Sequence, residues 1–196
     1  RKILITPLEP ELTFKDDPLR ILRGVRFSSQ LNFQLTSNVK DAMITQKKGL
    51  EFISKERITE EIIKILKTKK PSKGFRVLNE LNLFEQVFPE LNELKGVEII
   101  DGKGHKDVFY HTLEVIDNSA KLSNKMEIRF AALLHDIAKP RTKKFYKDKG
   151  WTYYGHEDVG QYMIKDIAKR IKISNNLRDY LMLLTKLHLR PIALAK

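Results

Sequence analysis

The segment AALLHDIAKP, residues 131–140, sets an adjacent imidazole and carboxylate in the most apolar helical stretch of the chain. Ile128, Phe130, Ala131, Ala132, Leu133, Leu134 and Ile137 fall on most sides of the helix that this spacing predicts, which is the pattern of a core helix. His135 and Asp136 are carried inward with it. A carboxylate taken out of water is strongly disfavoured unless it is paired or bound to a metal, so Asp136 requires a partner.

The rest of the chain reads as helix after helix. Asp16 and Asp17 precede Pro18, an acidic cap followed by proline at the first helical position, and predict a helix to about Leu31. Leu19, Ile21, Leu22 and Val25 share one arc of it, while Asp17, Arg20 and Arg23 lie opposite. A second helix follows Thr36 and Ser37. A third runs from about Lys55 to Lys67, capped by Ser54, with Ile58, Ile62, Ile65 and Leu66 as its stripe. More follow Pro71 and Pro89. The run KGVEIIDGKGHKD, residues 95–107, reads as a long loop and the best candidate boundary. Beyond it, helices are expected at 108–122, 125–138, 156–171 and 174–189, interrupted by KKFYKDKGWTYYG, whose aromatic alternation around Asp148 to Gly150 predicts a small hairpin. At the amino end, Ile3 to Ile5 form a β-compatible run with no evident partner, broken at Pro7 and Pro10. The fold class is all-α.

Composition narrows the chemistry. Lys and Arg number 37 against 25 Asp and Glu in 196 residues, a formal charge of +12 that favours a polyanionic partner, nucleic acid before membrane. Cysteine is absent, so any metal must be held by His and carboxylate. No apolar run is long enough to span a bilayer, no signal peptide is visible, and the expected location is cytoplasmic. The first residue is Arg rather than Met, which leaves upstream sequence an open matter.

Four of the five histidines stand where they can converge. His111 shares a helix face with Val108 and Val115, His188 lies on the Leu181 and Leu184 side of the last long helix, and His156 opens a helix after the hairpin. Neutral imidazoles and one carboxylate on separate helices suit a divalent transition metal. A lone histidine on an apolar helix face is also what a hydrogen-bonded core residue looks like, and His105 in its loop reads as solvated.

The segments FYHTLEVIDN, LLHDIAKP, YGHEDVG and LHLRP together resemble the HD superfamily of metal-dependent phosphohydrolases. The resemblance implies a metal ligand set of His111, His135 and Asp136. The family's late Asp has no counterpart here, and His188 is the nearest candidate. His156 is expected near the open coordination position, and the ion is expected to be a divalent transition metal or Mg²⁺.

The amino-terminal part carries a second resemblance. DDPLRILRGVRFSSQLNF and ISKERITEEIIKIL are similar to the neck of bacterial class II CCA-adding enzymes and poly(A) polymerases, the tRNA nucleotidyltransferase family, whose members often carry an HD domain after the neck. The implied partners are tRNA, CTP and ATP. The family's acidic-acidic-x-x-Arg motif falls on Asp16, Asp17 and Arg20, and the resemblance implies that Asp17 and Arg20 read the incoming base; Asp16 stands where Glu is more usual. Positions 17 and 20 share a helix face, so a carboxylate acceptor can lie beside a guanidinium donor. Cytosine and adenine each present an amine donor next to a ring-nitrogen acceptor, which is the matching pattern. A plain helix cap at Asp17 with Arg20 as a brace is the alternative. Arg23 and Arg26 are candidates to hold phosphates or to brace the helix.

The resemblance divides the chain into residues 1–15, a remnant of the nucleotidyltransferase head; 16–95, the neck; and 96–196, the HD domain. The Gly-Ser loop and paired carboxylates with which the family's head binds Mg²⁺ are not among these residues. The expectation is therefore a fragment that supplies base selection and RNA binding to CCA, C or A addition at the tRNA 3′ end without polymerising alone. Lys69, Lys70, Lys73 and Arg76, with Lys143 and Lys144 in the hairpin, are the candidate RNA contacts. The alternative function is an HD-type hydrolase of phosphomonoesters or 2′,3′-cyclic phosphates, and an RNA-binding scaffold with a structural His-Asp pair is a third.

Overall fold

The computed structural model describes residues 2–195. The amino-terminal half comprises β1 (Ile3–Leu4), α1 (Pro10–Asp16), α2 (Leu19–Leu31), β2 (Gln34–Leu35), α3 (Ser37–Gln46), a 3-10 segment (Lys47–Phe52), α4 (Lys55–Leu66), α5 (Pro71–Glu80), α6 (Phe84–Val87) and α7 (Glu90–Glu93). The second half comprises β3 (Ile99–Ile100), β4 (Lys103–Gly104), α8 (Val108–Leu122), α9 (Met126–Leu134), α10 (Lys139–Thr142), β5 (Lys144–Tyr146), β6 (Gly150–Thr152), α11 (His156–Ile171), α12 (Asn175–Leu187) and α13 (Arg190–Leu194). The class is all-α, and its strands form only two-stranded pairs.

Local chemistry explains the starts of the long helices. Ser54 Oγ accepts from Arg57 N, Asp107 Oδ1 accepts from Tyr110 N at 3.1 Å, and Ser174 Oγ accepts from Leu177 N at 3.3 Å. In α2 the arc Leu19, Ile21, Leu22 and Val25 is buried, while Arg20 and Arg23 remain partly exposed, as the spacing predicts. One continuous apolar cluster runs from Phe14 through Phe75, Phe109 and Phe130 to Leu181. The segment 96–107 thus joins two halves of a shared core.

Several expectations are corrected. The run at Ile3 has a partner: β1 pairs in parallel with β2, Ile3 opposite Gln34 and Leu4 opposite Leu35. Pro10 starts a helix, because proline at the first helical position loses no hydrogen bond, and Thr13 and Phe14 of α1 are buried. The 95–107 segment is not featureless, since β3 and β4 form an antiparallel pair within it. The helix expected over 125–138 ends at Leu134. Pro140 has no N–H to offer the Asp136 carbonyl, so the chain tightens there, with Ile137 N donating to Leu134 O and Lys139 N to Asp136 O. His135 and Asp136 therefore occupy a tight turn between α9 and α10.

Four side-chain joints fasten the halves. Arg129, 4% exposed, donates to the carbonyls of Leu66, Thr68, Ala120 and Ser123. Ser72 donates through N and Oγ to Asp117, Thr59 donates to Ile171 O at 2.8 Å, and Arg170 Nη2 donates to both carboxylate oxygens of Glu90. Between α11 and α12 the backbones approach so closely that a Cβ at Gly160 would meet Thr185 Cγ2 at 2.9 Å.

Candidate functional site

The turn after α9 brings Asp136 into a ring of imidazoles. His135 comes from the same turn, His111 from α8, His156 from the start of α11 and His188 from the end of α12. Gly155, in the left-handed conformation at φ +73°, makes the sharp entry that sets His156 at the first position of α11. Asp136 is 2% exposed. His135 Nε2 lies 3.1 Å and His111 Nε2 3.7 Å from its Oδ2, while His156 Nε2 lies 3.3 Å and His188 Nε2 3.6 Å from its Oδ1. The carboxylate is thus shared by two triads, His111 with His135 and His156 with His188. All five residues singled out in the sequence meet here.

The tautomers follow from the outer contacts. Nδ1 of His135 lies 2.8 Å from Ala132 O, Nδ1 of His156 2.8 Å from Tyr153 O, and Nδ1 of His188 2.7 Å from Thr185 O. A carbonyl only accepts, so each Nδ1 carries the proton and each neutral ring turns an Nε2 lone pair inward. The interior therefore collects acceptors: a carboxylate and at least three imidazole lone pairs, with His156 Nε2 only 3.2 Å from His188 Nε2. Asp136 Oδ2 is buried without an aligned hydrogen-bond donor, although the Lys139 ammonium stands 2.7 Å away. Such a cluster is satisfied by bound cations or by extra protons, and the donor set fits a divalent metal.

Burial pushes the Asp136 carboxyl up, but His135, His156 and His188, each able to donate to it once protonated at Nε2, outweigh this and hold the group well below the usual carboxylate range. Burial pushes the His111 imidazole down, and the charge of Asp136 opposes this only in part. Burial also works against the His188 cation, yet its hydrogen bonds with Asp136 and the Thr185 carbonyl hold its pKa above the ordinary value.

Sequence reasoning missed two residues beside this centre and the packing of His105 against the hairpin. Lys139 follows Asp136 by three residues, a spacing that could have been read. Tyr153 lines the adjoining cleft, and its buried hydroxyl has no hydrogen-bond partner. His105 is not simply solvated: its ring meets Trp151 edge-on at 5.1 Å and accepts from Glu98 N at 3.1 Å.

In the neck, Asp17 Oδ1 accepts from Leu19 N at 3.2 Å at the start of α2. Arg20 Nη1 donates to Thr13 O at 3.1 Å and pairs with Asp16 at 2.9 Å, while its Nε stands 4.0 Å from Asp17 Oδ2. Arg23 and Arg57 stand 3.8 and 3.9 Å from the same carboxylate, so Asp17 faces three guanidiniums. Arg57 carried no signal beyond its place in the ISKERITEE segment. Arg26 is engaged elsewhere, donating to the buried Glu61 at 2.7 Å and to Gln30 at 3.1 Å, which makes it a brace between α2 and α4.

Among the candidate RNA contacts, Lys69, Lys70, Arg76 and Lys144 are exposed. Lys73 is hydrogen-bonded to Asn32, and the Arg76 guanidinium lies over the Tyr110 ring. Lys143 pairs with Glu98 at 2.5 Å and lies over Trp151, so its charge is largely neutralised.

The fold and the His/Asp cluster define an all-α protein with a buried carboxylate ringed by imidazoles, a donor set of metal-binding type. The family described as "Probable RNA and SrmB- binding site of polymerase A" matches residues 32–95, and the HD domain matches residues 108–193. The chain is 34% identical over 183 residues to the Multifunctional CCA protein of Psychromonas ingrahamii, covering 89% of this chain and 44% of that protein. It shares its fold with a solved CCA-adding enzyme in complex with CTP (TM-score 0.55, 21% identity, 94% of this chain and 38% of that one) and with the Thermotoga maritima CCA-adding enzyme complexed with tRNA (TM-score 0.55, 18% identity, 94% and 39%). The chain is thus similar, over most of its length, to the RNA-binding and HD regions of CCA-adding enzymes. It spans less than half the length of these relatives.

Proposed function

We propose that this chain supplies base selection and RNA binding to a tRNA nucleotidyltransferase that adds CCA, or C or A, to the tRNA 3′ end. The observation that carries the reading is the Asp17 carboxylate held beside the Arg20 guanidinium at the start of α2, with Arg23 and Arg57 flanking it. Thr13 O and Asp16 fix the orientation of Arg20, and Leu19 N fixes that of Asp17, so an acceptor and a donor stand side by side before a base arrives. A preset pair of this kind favours the amine-and-ring-nitrogen edge of cytosine and adenine and opposes the reversed edge of uracil. Mg²⁺ belongs to the nucleotidyl-transfer chemistry of the family's head domain, outside the residues described. Lys69, Lys70 and Lys144 are the basic groups best placed for tRNA phosphates. No helix among the described residues is long and apolar enough to cross a membrane, and a cytoplasmic site of action fits a tRNA substrate. Nucleotide incorporation by Asp17 and Arg20 variants of the full-length enzyme tests the reading.

A second reading is favoured by the inward lone pairs around Asp136. His111, His135, Asp136 and His188, with His156, would hold a divalent ion, and the nitrogen-rich donor set suits a first-row transition metal better than Mg²⁺. Bound there, a cation supplies Lewis-acid polarisation of a phosphoester oxygen. The chain's own residues do the rest. The backbone carbonyls of residues 132, 153 and 185 hold the imidazoles in one tautomer, Lys139 places a positive charge at the cluster, and Tyr153 lines the adjoining cleft. This arrangement supports hydrolysis of phosphomonoesters or cyclic phosphodiesters, and metal uptake by the purified chain is its first test.

A further inference from the structure

Gly160 stands where three elements of the Asp136 cluster meet. A Cβ there would lie 2.9 Å from Thr185 Cγ2 on α12, 3.7 Å from Ala138 Cβ and 3.9 Å from Ile137 Cγ2, the last two in the turn that carries Asp136. Gly160 itself lies on the buried face of α11, one turn beyond His156, and Thr185 precedes His188 by three residues. The two helices and the turn that deliver His156, His188 and Asp136 thus close on one position that has no side chain. The backbone of Gly160 is helical, so what the position uses is the space, not the conformational freedom of glycine.

That space sets a distance. His156 Nε2 lies 3.2 Å from His188 Nε2, and the two stand 3.3 and 3.6 Å from Asp136 Oδ1. Two nitrogens held by one ion at about 2.1 Å stand roughly 3.0 to 3.4 Å from each other, so the observed separation is already that of a ligand pair. A methyl at position 160 would have to open the contact with Thr185 by roughly 0.6 to 1 Å to reach ordinary carbon separations. Functional side chains tolerate a displacement of only about 0.5 Å. Thr185 has little room to yield, being fully buried and β-branched within a helix.

We propose that Gly160 is the positioning residue of the His156, Asp136 and His188 triad: its missing side chain lets α11 and α12 close until the three donors reach one divalent ion. The inference rests on the metal reading of the cluster and adds the residue that gives this triad its spacing. Alanine favours helix over glycine, so a weaker α11 is not what Gly160→Ala produces. A wider seam is.

The full chain, Gly160→Ala, Thr185→Ser and the double variant should be titrated with Co²⁺ by calorimetry, with visible absorption to report the coordination and thermal melts of the metal-free proteins in parallel. Gly160→Ala should bind Co²⁺ at least about tenfold more weakly and with an altered absorption spectrum. Thr185→Ser alone should bind as the wild type does. Combined with Gly160→Ala it should restore both affinity and spectrum, because it deletes the methyl that the new Cβ would strike. Thr59→Ala cuts the hydrogen bond to Ile171 O at the far end of α11, so it should lower the melting temperature and leave the affinity unchanged. Wild-type affinity in Gly160→Ala, no recovery in the double variant, or an equal loss of affinity in Thr59→Ala overturns the inference while the metal reading stands. Wild-type protein that takes up no Co²⁺ overturns the metal reading and the inference together, so the two failures are told apart.

Discussion

Arg129 donates through Nη1 to Leu66 O at 2.9 Å, placing a buried guanidinium at the C-terminal end of α4. The same side chain reaches Thr68 O at 3.0 Å and Ala120 O at 3.2 Å, near the end of α8. The last carbonyls of a helix carry partial negative charge and lack intrahelical donors, so one cation satisfies two helix ends without a carboxylate.

Replacing it should be severe. Arg129→Met leaves several carbonyls buried and unpaired, and stability should fall by roughly 3 to 5 kcal/mol. Urea denaturation followed by circular dichroism checks this. A fall of less than about 1 kcal/mol would mean that water takes over the carbonyls.

Acid should weaken the neck through Glu61. Burial pushes its carboxyl up, but hydrogen bonds from Lys64 and Arg26 outweigh this and hold it below the ordinary value. A carboxylate with a depressed folded-state pKa stabilises the fold above its unfolded pKa near 4.5, and that contribution vanishes as pH falls through the folded value. Glu61→Gln should therefore lower stability at pH 7 and flatten the acid limb of the stability profile below about pH 4.5. Thermal melts of both proteins between about pH 3 and 7 decide it, and parallel acid limbs would exclude Glu61 as the cause.

Base selection gives the sharpest functional expectation, made for the full-length enzyme. Arg20→Ala should weaken CTP and ATP incorporation by about 1 to 3 kcal/mol in kcat/KM, roughly 5- to 150-fold. Asp17→Ala should do the same and admit UTP. Asp136→Asn should leave incorporation intact. Wild-type incorporation by the Arg20 variant would reduce Asp17 and Arg20 to a helix cap and a brace.

Metal should bind the Asp136 cluster. Saturation at about a hundredfold above Kd adds about 2.7 kcal/mol, readable as a higher Tm with Mn²⁺, Ni²⁺ or Zn²⁺ and reversed by chelator. Asp136→Asn, which alters both triads, should cancel the shift. Wild-type protein that carries no ion and gains no Tm from any of these metals would make the histidines structural.

Salt should separate the lysines. Removing one lysine that pairs with a tRNA phosphate lowers the log-log salt slope of affinity by about 0.7 to 0.9, so Lys69→Ala and Lys70→Ala should each lower it. Lys143→Ala should not, because Glu98 already neutralises that charge. A slope unchanged in all three variants would move the RNA surface elsewhere.

Short-range chemistry is what the sequence makes legible. The stripe of α2, the Ser54 cap of α4, the hairpin around Gly150 and the convergence of His111, His135, Asp136, His156 and His188 all follow from spacing or motif. The missed features depend on distant partners. The strand at Ile3 needs Gln34 and Leu35 to exist, and nothing in a two-residue run announces a parallel neighbour. Arg26 looks like Arg20 and Arg23 until Glu61, 35 residues on, claims it. The turn at His135 is different, since Pro140 removes the very donor a continuing helix would need and so marks the break in the sequence itself. Pro10 has the opposite sense, because proline beside an acid is also how a helix such as α1 begins.

The joints at Thr59, Ser72, Glu90 and Arg129 tie the halves by noncovalent bonds, independent of the connection through residues 95–107. That peptide link is mechanically redundant. A protease cut at the exposed turn around Asp101 and Gly102 would change the covalent topology and leave one particle, with both pieces migrating together until a denaturant parts them.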